Sequence, residues 1–210
     1  MTKAERLEAQ KELLTKMLSF ERALWAEGKQ YVAGVDEVGR GPLAGPVVTA
    51  AVILPQDFHL LGVNDSKKLS EKKREELFEQ IKDAAVCYAI GRREPERIDK
   101  INILEATKEA MCDAVNKLSI KPDHVLIDAV KLKDLDIPQT SIIHGDALSV
   151  SIAAASILAK VTRDREMVEM SKIYPGYSFE KNKGYGTKAH YEGLAEFGPT
   201  PIHRRSFYEI

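Results

Sequence analysis

Short apolar runs rich in β-branched residues recur along the chain and predict five strands. They lie at residues 31–35, 46–54, 86–91, 124–130 and 140–146. The second run is continuously apolar, which is typical of a strand that is covered on both faces. The short loop between the first two runs indicates a hairpin or an adjacent pair of strands.

Helical patterns precede, separate and follow these strands. Apolar positions three or four residues apart, or an alanine-rich sequence, predict helices at 3–27, 70–84, 103–118, 149–170 and 187–197. The first half of the fourth helix is so apolar that it must be buried. This order of elements predicts an α/β domain over residues 31–210, with a mixed, roughly five-stranded sheet and a small helical portion from about residue 171. We expect residues 1–30 to form a leader helix packed on that domain.

Carboxylates stand where three of the apolar runs end. They are Asp36 with Glu37, Asp128, and Asp146. Because side chains alternate along a strand, Asp36 and Glu37 would converge only if the strand ends there. The alternative interpretation is that these acids are helix caps and solvated turns, since the chain contains 32 acidic residues.

Metal-dependent phosphoryl chemistry is what such an acidic set favours. Four carboxylates at one sheet edge would repel one another unless a cation lay among them. Oxygen ligands suit Mg²⁺ or Mn²⁺, whereas zinc usually brings histidine or cysteine. Sites of this kind often hold two ions about 3.5–4 Å apart, which activate water and stabilise the leaving oxygen of a phosphodiester.

The loop after the first pair of acids is rich in glycine. In "GVDEVGRGPLAGP", residues 34–46, Gly39, Gly41 and Gly45 allow backbone N–H groups to approach a ligand, and Arg40 offers a planar donor. The loop matches neither GxxxxGK[ST] nor GxGxxG. A hairpin with ordinary turn glycines is the alternative.

Several motifs, in the same order as in a known family, extend this pattern over residues 31–207. The string "GVDEVGRGPLAGPVV" is followed by "NDSKKLS", "LIDA", "HGDALSVSIAAASILAKVTRD", "GYGTKAH" and "HRRSF". The sequence resembles the bacterial form of the ribonuclease HII family, the type 2 ribonucleases H. The resemblance implies a ribonuclease H-like fold and a two-metal endonuclease that hydrolyses the RNA strand of RNA–DNA hybrids. It also implies cleavage on the 5′ side of ribonucleotides embedded in duplex DNA, leaving 3′-hydroxyl and 5′-phosphate ends.

The same resemblance assigns roles to individual residues. The family's four metal-binding acids correspond to Asp36, Glu37, Asp128 and Asp146. Its motif that reads the 2′-hydroxyl, mainly through backbone groups, corresponds to Gly39, Arg40 and Gly41. Its tyrosine that stacks on the sugar after the scissile junction corresponds to Tyr185, for which a turn residue with a packed ring is the alternative.

Basic residues within these motifs are candidate phosphate contacts, which would add affinity without sequence preference. They are Lys67, Lys68, Lys160, Arg163, Arg204 and Arg205. The alternative is that they solvate the surface. Asp164 is expected to anchor structure rather than to bind metal, because it lies on a helix well beyond the strand end.

The chain departs from the family pattern at two places. Ala129 and Val130 follow the third acid where "GN" is common, and His144 stands where a lysine is common before the fourth acid. A histidine there could supply a charge that varies near its reference pKa of ~6.5, so that activity would depend on pH. The alternative is a structural histidine.

Composition and charge restrict the partners and the compartment. Hydrophobic residues make up 44% of the chain, charged residues 30%, and the formal net charge is −1, so a nucleic-acid partner requires a locally basic face. The longest apolar stretch, 47–54, is far shorter than the roughly 20 residues of a membrane helix, and residues 1–30 lack a secretory signal. We therefore expect a cytoplasmic monomer without membrane contact, in which Cys87 and Cys112 are buried thiols.

Two other functions stay open. The related ribonuclease HIII shares the core but typically carries a larger domain before it than the 30 residues found here. A non-catalytic binder of hybrid duplexes is disfavoured, because such a protein has no need to gather negative charge beside phosphates. The leader helix could also recruit a replication or repair partner.

Overall fold

Five strands form one mixed sheet in the computed structural model, which describes residues 2–208. The strands are β1 (Val32–Val38), β2 (Val47–Ile53), β3 (Cys87–Arg93), β4 (His124–Asp128) and β5 (Gln139–Ile142). Their order across the sheet is β3-β2-β1-β4-β5. The strands β1, β2 and β3 pair antiparallel, whereas β1, β4 and β5 run parallel. The predicted α/β fold with a mixed five-stranded sheet is confirmed.

Helices cover both faces of this sheet. They are α1 (Lys3–Met17), α2 (Ser19–Ala26), α3 (Glu71–Ala84), α4 (Pro95–Ile101), α5 (Ile103–Asn116), α6 (Gly145–Leu148), α7 (Val150–Ile173), α8 (Phe179–Asn182) and α9 (Lys188–Phe197). Single 3₁₀ turns lie at Ser66–Lys68 and Arg205–Phe207. The short helices α4, α6 and α8 were not predicted, because one or two turns are too short to show a helical period.

The leader consists of two helices, so the prediction of one helix over 3–27 is wrong at Leu18. This residue is buried, and its N–H donates to the Leu14 carbonyl at the end of α1. The turn places Met17 and Leu18 in a cluster with residues of α3 and α7, Phe20 packs against residues of β1, β4 and β5, and Trp25 packs against both groups. The apolar spacing continues across the turn, which is why periodicity alone suggested a single helix.

Helix α7 lies across β1 and β2 and is the most deeply buried helix. Its first ten residues are all buried, as predicted from their apolar character. Helix α5 covers the opposite face, so alternate strand residues such as Ala50 and Ala51 face different helices. At Gly34 of β1 the two elements almost touch, since a Cβ built there would lie 2.1 Å from the backbone carbon of Ser151. The absence of a side chain at Gly34 therefore allows α7 to lie this close to β1.

The cysteines depart from their prediction. Cys87 and Cys112 are free thiols, as expected, but both are partly exposed rather than buried. The reason for Cys87 is its position on β3, which is an edge strand of the sheet. Within residues 2–208, no helix combines the length and the apolar content needed to cross a bilayer.

The leader is anchored by a buried carboxylate. Glu21 of α2 is fully buried, and its Oε1 accepts hydrogen bonds from the Ser149 hydroxyl at 2.6 Å and from the Ser151 N–H at 3.0 Å. The Ser151 N–H belongs to the first turn of α7, where backbone donors lack partners within the helix. Glu21 thus joins the leader to the start of α7 and to Ser149, which lies three residues after Asp146.

We expect Glu21→Ala to lower the free energy of unfolding by about 2–4 kcal/mol, because it leaves a buried N–H and a buried hydroxyl unpaired and opens a cavity. Urea unfolding monitored by circular dichroism measures the change. Glu12→Ala, at an exposed position of α1, is the control and should stay within about 0.5 kcal/mol of the parent. Equal effects of the two substitutions would show that Glu21 does not anchor the leader.

Candidate active site

Two of the predicted acids are brought together by strand register. Strands β1 and β4 are parallel, with Val35 opposite Ile127, so the next residues, Asp36 and Asp128, are neighbours on one face of the sheet. Both stand where the β1–β4 ladder ends. Strand β1 itself continues to Val38 through its pairing with β2. The expectation that the strand must end at the acids is therefore correct for one ladder and wrong for the other.

Glu37 joins this pair although it is adjacent to Asp36 in sequence. Carboxylate oxygens of Asp36, Glu37 and Asp128 all lie within 4.8 Å of one another. The Glu37 N–H donates to Asp36 Oδ1 at 2.7 Å, and Arg40 Nη1 lies 3.6 Å from Glu37 Oε1. The longer side chain of glutamate allows this approach from the next position of the strand.

Asp146 lies in a short helix, which corrects its predicted place at the end of a strand. Strand β5 ends at Ile142, and His144 has the left-handed conformation, with φ 59° and ψ 39°, that turns the chain into α6. The Gly145 N–H donates to Asp128 Oδ1 at 2.7 Å. Asp128 therefore holds the start of the helix that carries Asp146, and this contact brings the fourth acid to the same edge.

The surroundings of Asp146 add a residue that the sequence did not single out. Asp65, which precedes the 3₁₀ turn at 66–68, is close enough to Asp146 to affect its ionisation. Burial, and then the charges of Asp65 and Asp128, raise the pKa of Asp146 above its ordinary 3.8, while Lys67 opposes the rise. Lys67 Nζ lies 3.8 Å from Asp146 Oδ2. The only signal for Asp65 in the sequence was its place in "NDSKKLS".

The cluster is electrostatically unfavourable by itself. Burial raises the pKa of Asp36 well above its ordinary 3.8, and the Glu37 and Asp128 carboxylates raise it further. Burial also raises the pKa of Glu37, although the positive charge of Arg40 opposes this effect. Carboxylates that are buried together in this way favour a bound proton or a bound cation.

A hard divalent cation fits this donor set. The three clustered side chains offer only carboxylate oxygens, the ligands that Mg²⁺ and Mn²⁺ prefer. A bound cation would also offset the repulsion that helps to raise the pKa values of Asp36 and Glu37. Asp36, Glu37 and Asp128 would hold such an ion, with Asp146 as a further carboxylate on the same edge.

The glycine loop places an exposed backbone segment beside the acids. Gly39 has a φ of 89°, which favours glycine, and a Cβ built there would meet Arg163 Nε at 2.2 Å. Arg40 and Gly41 are exposed, and a Cβ on Gly41 would lie 3.7 Å from the ring of Tyr185. The Tyr185 side chain is 43% exposed. The structure thus brings Gly41 and Tyr185 together at the surface.

The predicted basic contacts fall into two groups. Lys67, Lys68 and Arg205 are exposed, and Lys160 pairs with Asp164 at 2.8 Å. Arg163 and Arg204 are fully buried. The structure therefore corrects the prediction that these two arginines contact phosphate, because their guanidinium groups are turned into the protein and bonded to backbone carbonyls.

The two departures from the family pattern have a conformational cost. Ala129 has a φ of 52° and His144 a φ of 59°, in the region that glycine adopts readily. Each costs roughly 1–2 kcal/mol relative to a right-handed conformation. The His144 side chain is exposed, and its influence on activity remains a prediction.

A buried pair of histidines supports Tyr185 and was not found from the sequence. His190 Nε2 lies 2.9 Å from His203 Nε2, His190 Nδ1 lies 3.0 Å from the Tyr185 carbonyl, and His203 Nδ1 accepts from the Thr200 N–H at 2.9 Å. Since a carbonyl only accepts, His190 Nδ1 carries its proton, and the shared hydrogen bond must come from His203 Nε2–H. This arrangement fits only two neutral rings.

We expect acid to destabilise the fold through this pair. Burial, and then the neighbouring His190, lower the pKa of His203 from its ordinary 6.5 to about 4. Between those values the unfolded chain binds a proton that the folded chain does not, so stability is complete above pH 6.5 and falls as the pH drops towards 4. Thermal unfolding as a function of pH measures this, with His203→Gln flattening the profile and the exposed His59→Gln leaving it unchanged. A parent profile that His203→Gln does not alter would contradict the assignment.

Solved structures share this architecture. The ribonuclease H2 of Pyrococcus horikoshii matches with a TM-score of 0.68 and 31% identity, covering 84% of this chain and 93% of that one. The RNase HII of Archaeoglobus fulgidus, solved in a complex with PCNA, matches with a TM-score of 0.74 and 27% identity, covering 86% and 96%. The mixed sheet and its acidic edge therefore define a nuclease with the ribonuclease H fold.

Sequence similarity then fixes the family. Ribonuclease HII of Desulfitobacterium hafniense is 58% identical over 210 residues, which is all of this chain and 78% of that protein. The family model described as Ribonuclease HII matches residues 33–210. The chain belongs to the ribonuclease HII family, a family of ribonucleases that cleave the RNA strand of RNA–DNA hybrids. The resemblance seen in the sequence motifs is confirmed.

Proposed function

We propose that this ribonuclease also incises duplex DNA on the 5′ side of a single embedded ribonucleotide, leaving 3′-hydroxyl and 5′-phosphate ends. The observation that carries the proposal is the exposed pair Gly41 and Tyr185, which meet at the loop whose Arg40 lies 3.6 Å from Glu37 of the carboxylate cluster. A site that must act at one sugar needs recognition of that sugar next to the reacting phosphate. The 2′-hydroxyl is the group that separates RNA from DNA there.

The carboxylates would hold Mg²⁺ or Mn²⁺, and we propose two ions. When bound, such ions supply electrophilic assistance to a phosphodiester and lower the pKa of water. The protein contributes a rigid set of oxygen ligands, because Asp36 and Asp128 stand on adjacent strands and Asp128 also fixes the start of α6.

Recognition would fall to the loop and to the tyrosine. We propose that backbone groups of residues 39–41 contact the 2′-hydroxyl and that the Tyr185 ring stacks on the next sugar. Lys67, exposed and 3.8 Å from an Asp146 oxygen, is well placed to meet a phosphate near the reacting centre. Lys68, Lys160 and Arg205 remain candidates for more distant backbone contacts. As a macromolecular partner we propose a replication or repair protein, as in the archaeal complex with PCNA.

A duplex with one embedded ribonucleotide tests the proposal. It is incubated with Mg²⁺ or Mn²⁺ beside all-DNA and all-RNA duplexes of the same sequence and beside a continuous RNA–DNA hybrid. We expect cutting only where a ribonucleotide faces DNA, with the product ends identified by phosphatase treatment and ligation. Cleavage of the continuous hybrid without any cutting of the single-ribonucleotide duplex would refute the finer specificity.

Tyr185 is tested on the same two substrates. We expect Tyr185→Ala to reduce cleavage of the single-ribonucleotide duplex by about tenfold or more relative to the continuous hybrid, because the lost ring contact is of the order of base–aromatic stacking, about 1–3 kcal/mol. Tyr88→Ala is a matched control, since Tyr88 is also partly exposed but lies on the edge strand β3. Equal losses on both substrates would argue against a role at the junction.

A further inference from the structure

Two buried arginines bond to the glycine loop entirely through its backbone carbonyls. Arg204 donates from Nε to the Gly45 carbonyl at 2.9 Å, from Nη1 to the Arg40 carbonyl at 2.9 Å and from Nη2 to the Gly39 carbonyl at 2.5 Å. Arg163 donates to the carbonyls of Pro46 at 2.9 Å, Lys183 at 2.9 Å and Ala44 at 3.0 Å. Among residues 2–208, neither guanidinium forms an ion pair with a carboxylate.

Burying these two guanidinium groups is unfavourable in free energy, so the contacts that they make must offset that cost. A guanidinium that is buried without a carboxylate loses its hydration and receives only neutral acceptors in return. Burial, and then the nearby charge of Arg163, lower the pKa of Arg204 to about 9. The planar fork of arginine donates from three separate nitrogens in a fixed geometry and so reaches three spaced carbonyls of one loop, whereas the three donors of a lysine share a single nitrogen.

The carbonyls held by Arg204 determine where the loop amides point. Every peptide bond described between residues 2 and 208 is trans, so each C=O is opposite in direction to the N–H of the following residue. The Gly39 and Arg40 carbonyls point inward to Arg204, which turns the N–H groups of Arg40 and Gly41 outward. Both residues are exposed, and neither N–H donates to another residue between 2 and 208. The loop therefore presents two adjacent donors at the surface beside the acids.

Arg163 extends the same support to Tyr185. Its guanidinium lies directly under the loop, since a Cβ on Gly39 would meet Arg163 Nε at 2.2 Å. Its bond to the Lys183 carbonyl reaches the segment just before Tyr185, and the Leu43 N–H donates to the Gly184 carbonyl at 2.8 Å. The loop and the tyrosine segment are thus held by one buried group.

We propose that Arg204 and Arg163 are positioning residues for sugar recognition. Arg204 turns the Arg40 and Gly41 amides towards the 2′-hydroxyl, and Arg163 fixes the distance between that loop and Tyr185. The proposal rests on the proposed cleavage at single ribonucleotides. Neither arginine touches the substrate, so their effect is on the alignment of groups that do.

The test is Arg204→Lys, which keeps the positive charge but removes the fork. Steady-state kinetics on the single-ribonucleotide duplex give kcat and KM, and fluorescence anisotropy gives the Kd for an all-DNA duplex of the same sequence. We expect kcat/KM to fall about 10- to 100-fold, the usual loss when reacting groups are misaligned, while the Kd for all-DNA changes less than about twofold. Arg93→Lys is the matched control, because that arginine bonds carboxylates of α5 and not the loop.

Several results would overturn the proposal. One is an unchanged kcat/KM for Arg204→Lys. Another is a parallel loss in kcat/KM and in affinity for all-DNA, which is the pattern of general structural damage. Circular dichroism and urea unfolding establish that each variant is folded at the assay temperature.

Arg163→Lys is the second variant, and we expect it to reduce the effect of Tyr185→Ala in a double-mutant cycle, because the ring is already displaced. If both lysine variants fail to fold, the arginines are scaffold residues and the proposal is rejected. If the parent protein does not cut the single-ribonucleotide duplex, the proposed function fails first. If the parent cuts it and Arg204→Lys cuts equally well, only the positioning role fails.

Discussion

Asp36→Asn is expected to abolish cleavage while making the protein without divalent ions more stable. Asp36 is buried between Glu37 and Asp128, whose charges, after burial, raise its pKa. Removing this charge should raise the free energy of unfolding by about 1–2 kcal/mol in EDTA. If Asp36 holds a catalytic ion as proposed, its loss removes several kcal/mol of transition-state stabilisation, which lowers the rate by about 10³-fold or more.

Thermal unfolding with and without divalent ions separates the two effects. Mg²⁺ or Mn²⁺ should raise the unfolding midpoint of the parent, because a ligand that binds only the folded state stabilises it, and should do so much less for Asp36→Asn. Asp83→Asn, at an exposed position of α3, is the control for the loss of one negative charge. A lower midpoint for Asp36→Asn in EDTA would show that the cluster is not strained by its own charge.

The second large effect is expected from Gly34→Ala, which should destabilise the fold by about 3–5 kcal/mol. The added Cβ would lie 2.1 Å from the Ser151 carbon, 2.3 Å from its oxygen and 2.5 Å from the Ile152 nitrogen. All three are backbone atoms of α7, so no side chain can rotate away and the helix must move off β1. A shift of packed elements on this scale belongs to the severe end of single substitutions.

Gly28→Ala is the matched control for this substitution. Gly28 has a φ of 85° and nothing within 4 Å of a built Cβ, so its replacement costs only the conformational term of about 1 kcal/mol. Urea unfolding free energies of the two variants separate steric overlap from backbone preference. A loss for Gly34→Ala no larger than that for Gly28→Ala would mean that α7 can move away from β1 at little cost.

The strand-borne part of the site could be predicted because it depends on local patterns. Apolar runs of strand length located β1, β2 and β4, and the acids of β1 and β4 needed only the parallel register of those two strands to meet. Asp146 was assigned to the correct edge but to the wrong element. Its helix begins with a left-handed His144 and a bond from Gly145 to Asp128, neither of which leaves a hydrophobic period in the sequence.

The contacts of the buried arginines and histidines behind the site could not be predicted, for a different reason. Arg163 and Arg204 were expected at the surface because charged residues are rarely buried without a charged partner. Their partners are backbone carbonyls, which every residue has, so no residue type signals the contact. The pairing of His190 with His203 likewise depends on the C-terminal segment returning to α9, which single-sequence patterns do not specify.

The anchor between Glu21 and Ser149 also sets the order in which the enzyme can be completed during synthesis. The two residues are separated by 128 positions, so on a ribosome adding about 5–20 residues per second the carboxylate waits on the order of ten seconds for its partner. Asp146 is made only three residues before Ser149. The nascent chain therefore acquires Asp146 and the partner of its first helices almost together, and a ribosome that stalls just before this point has made all five strands without completing the acidic edge.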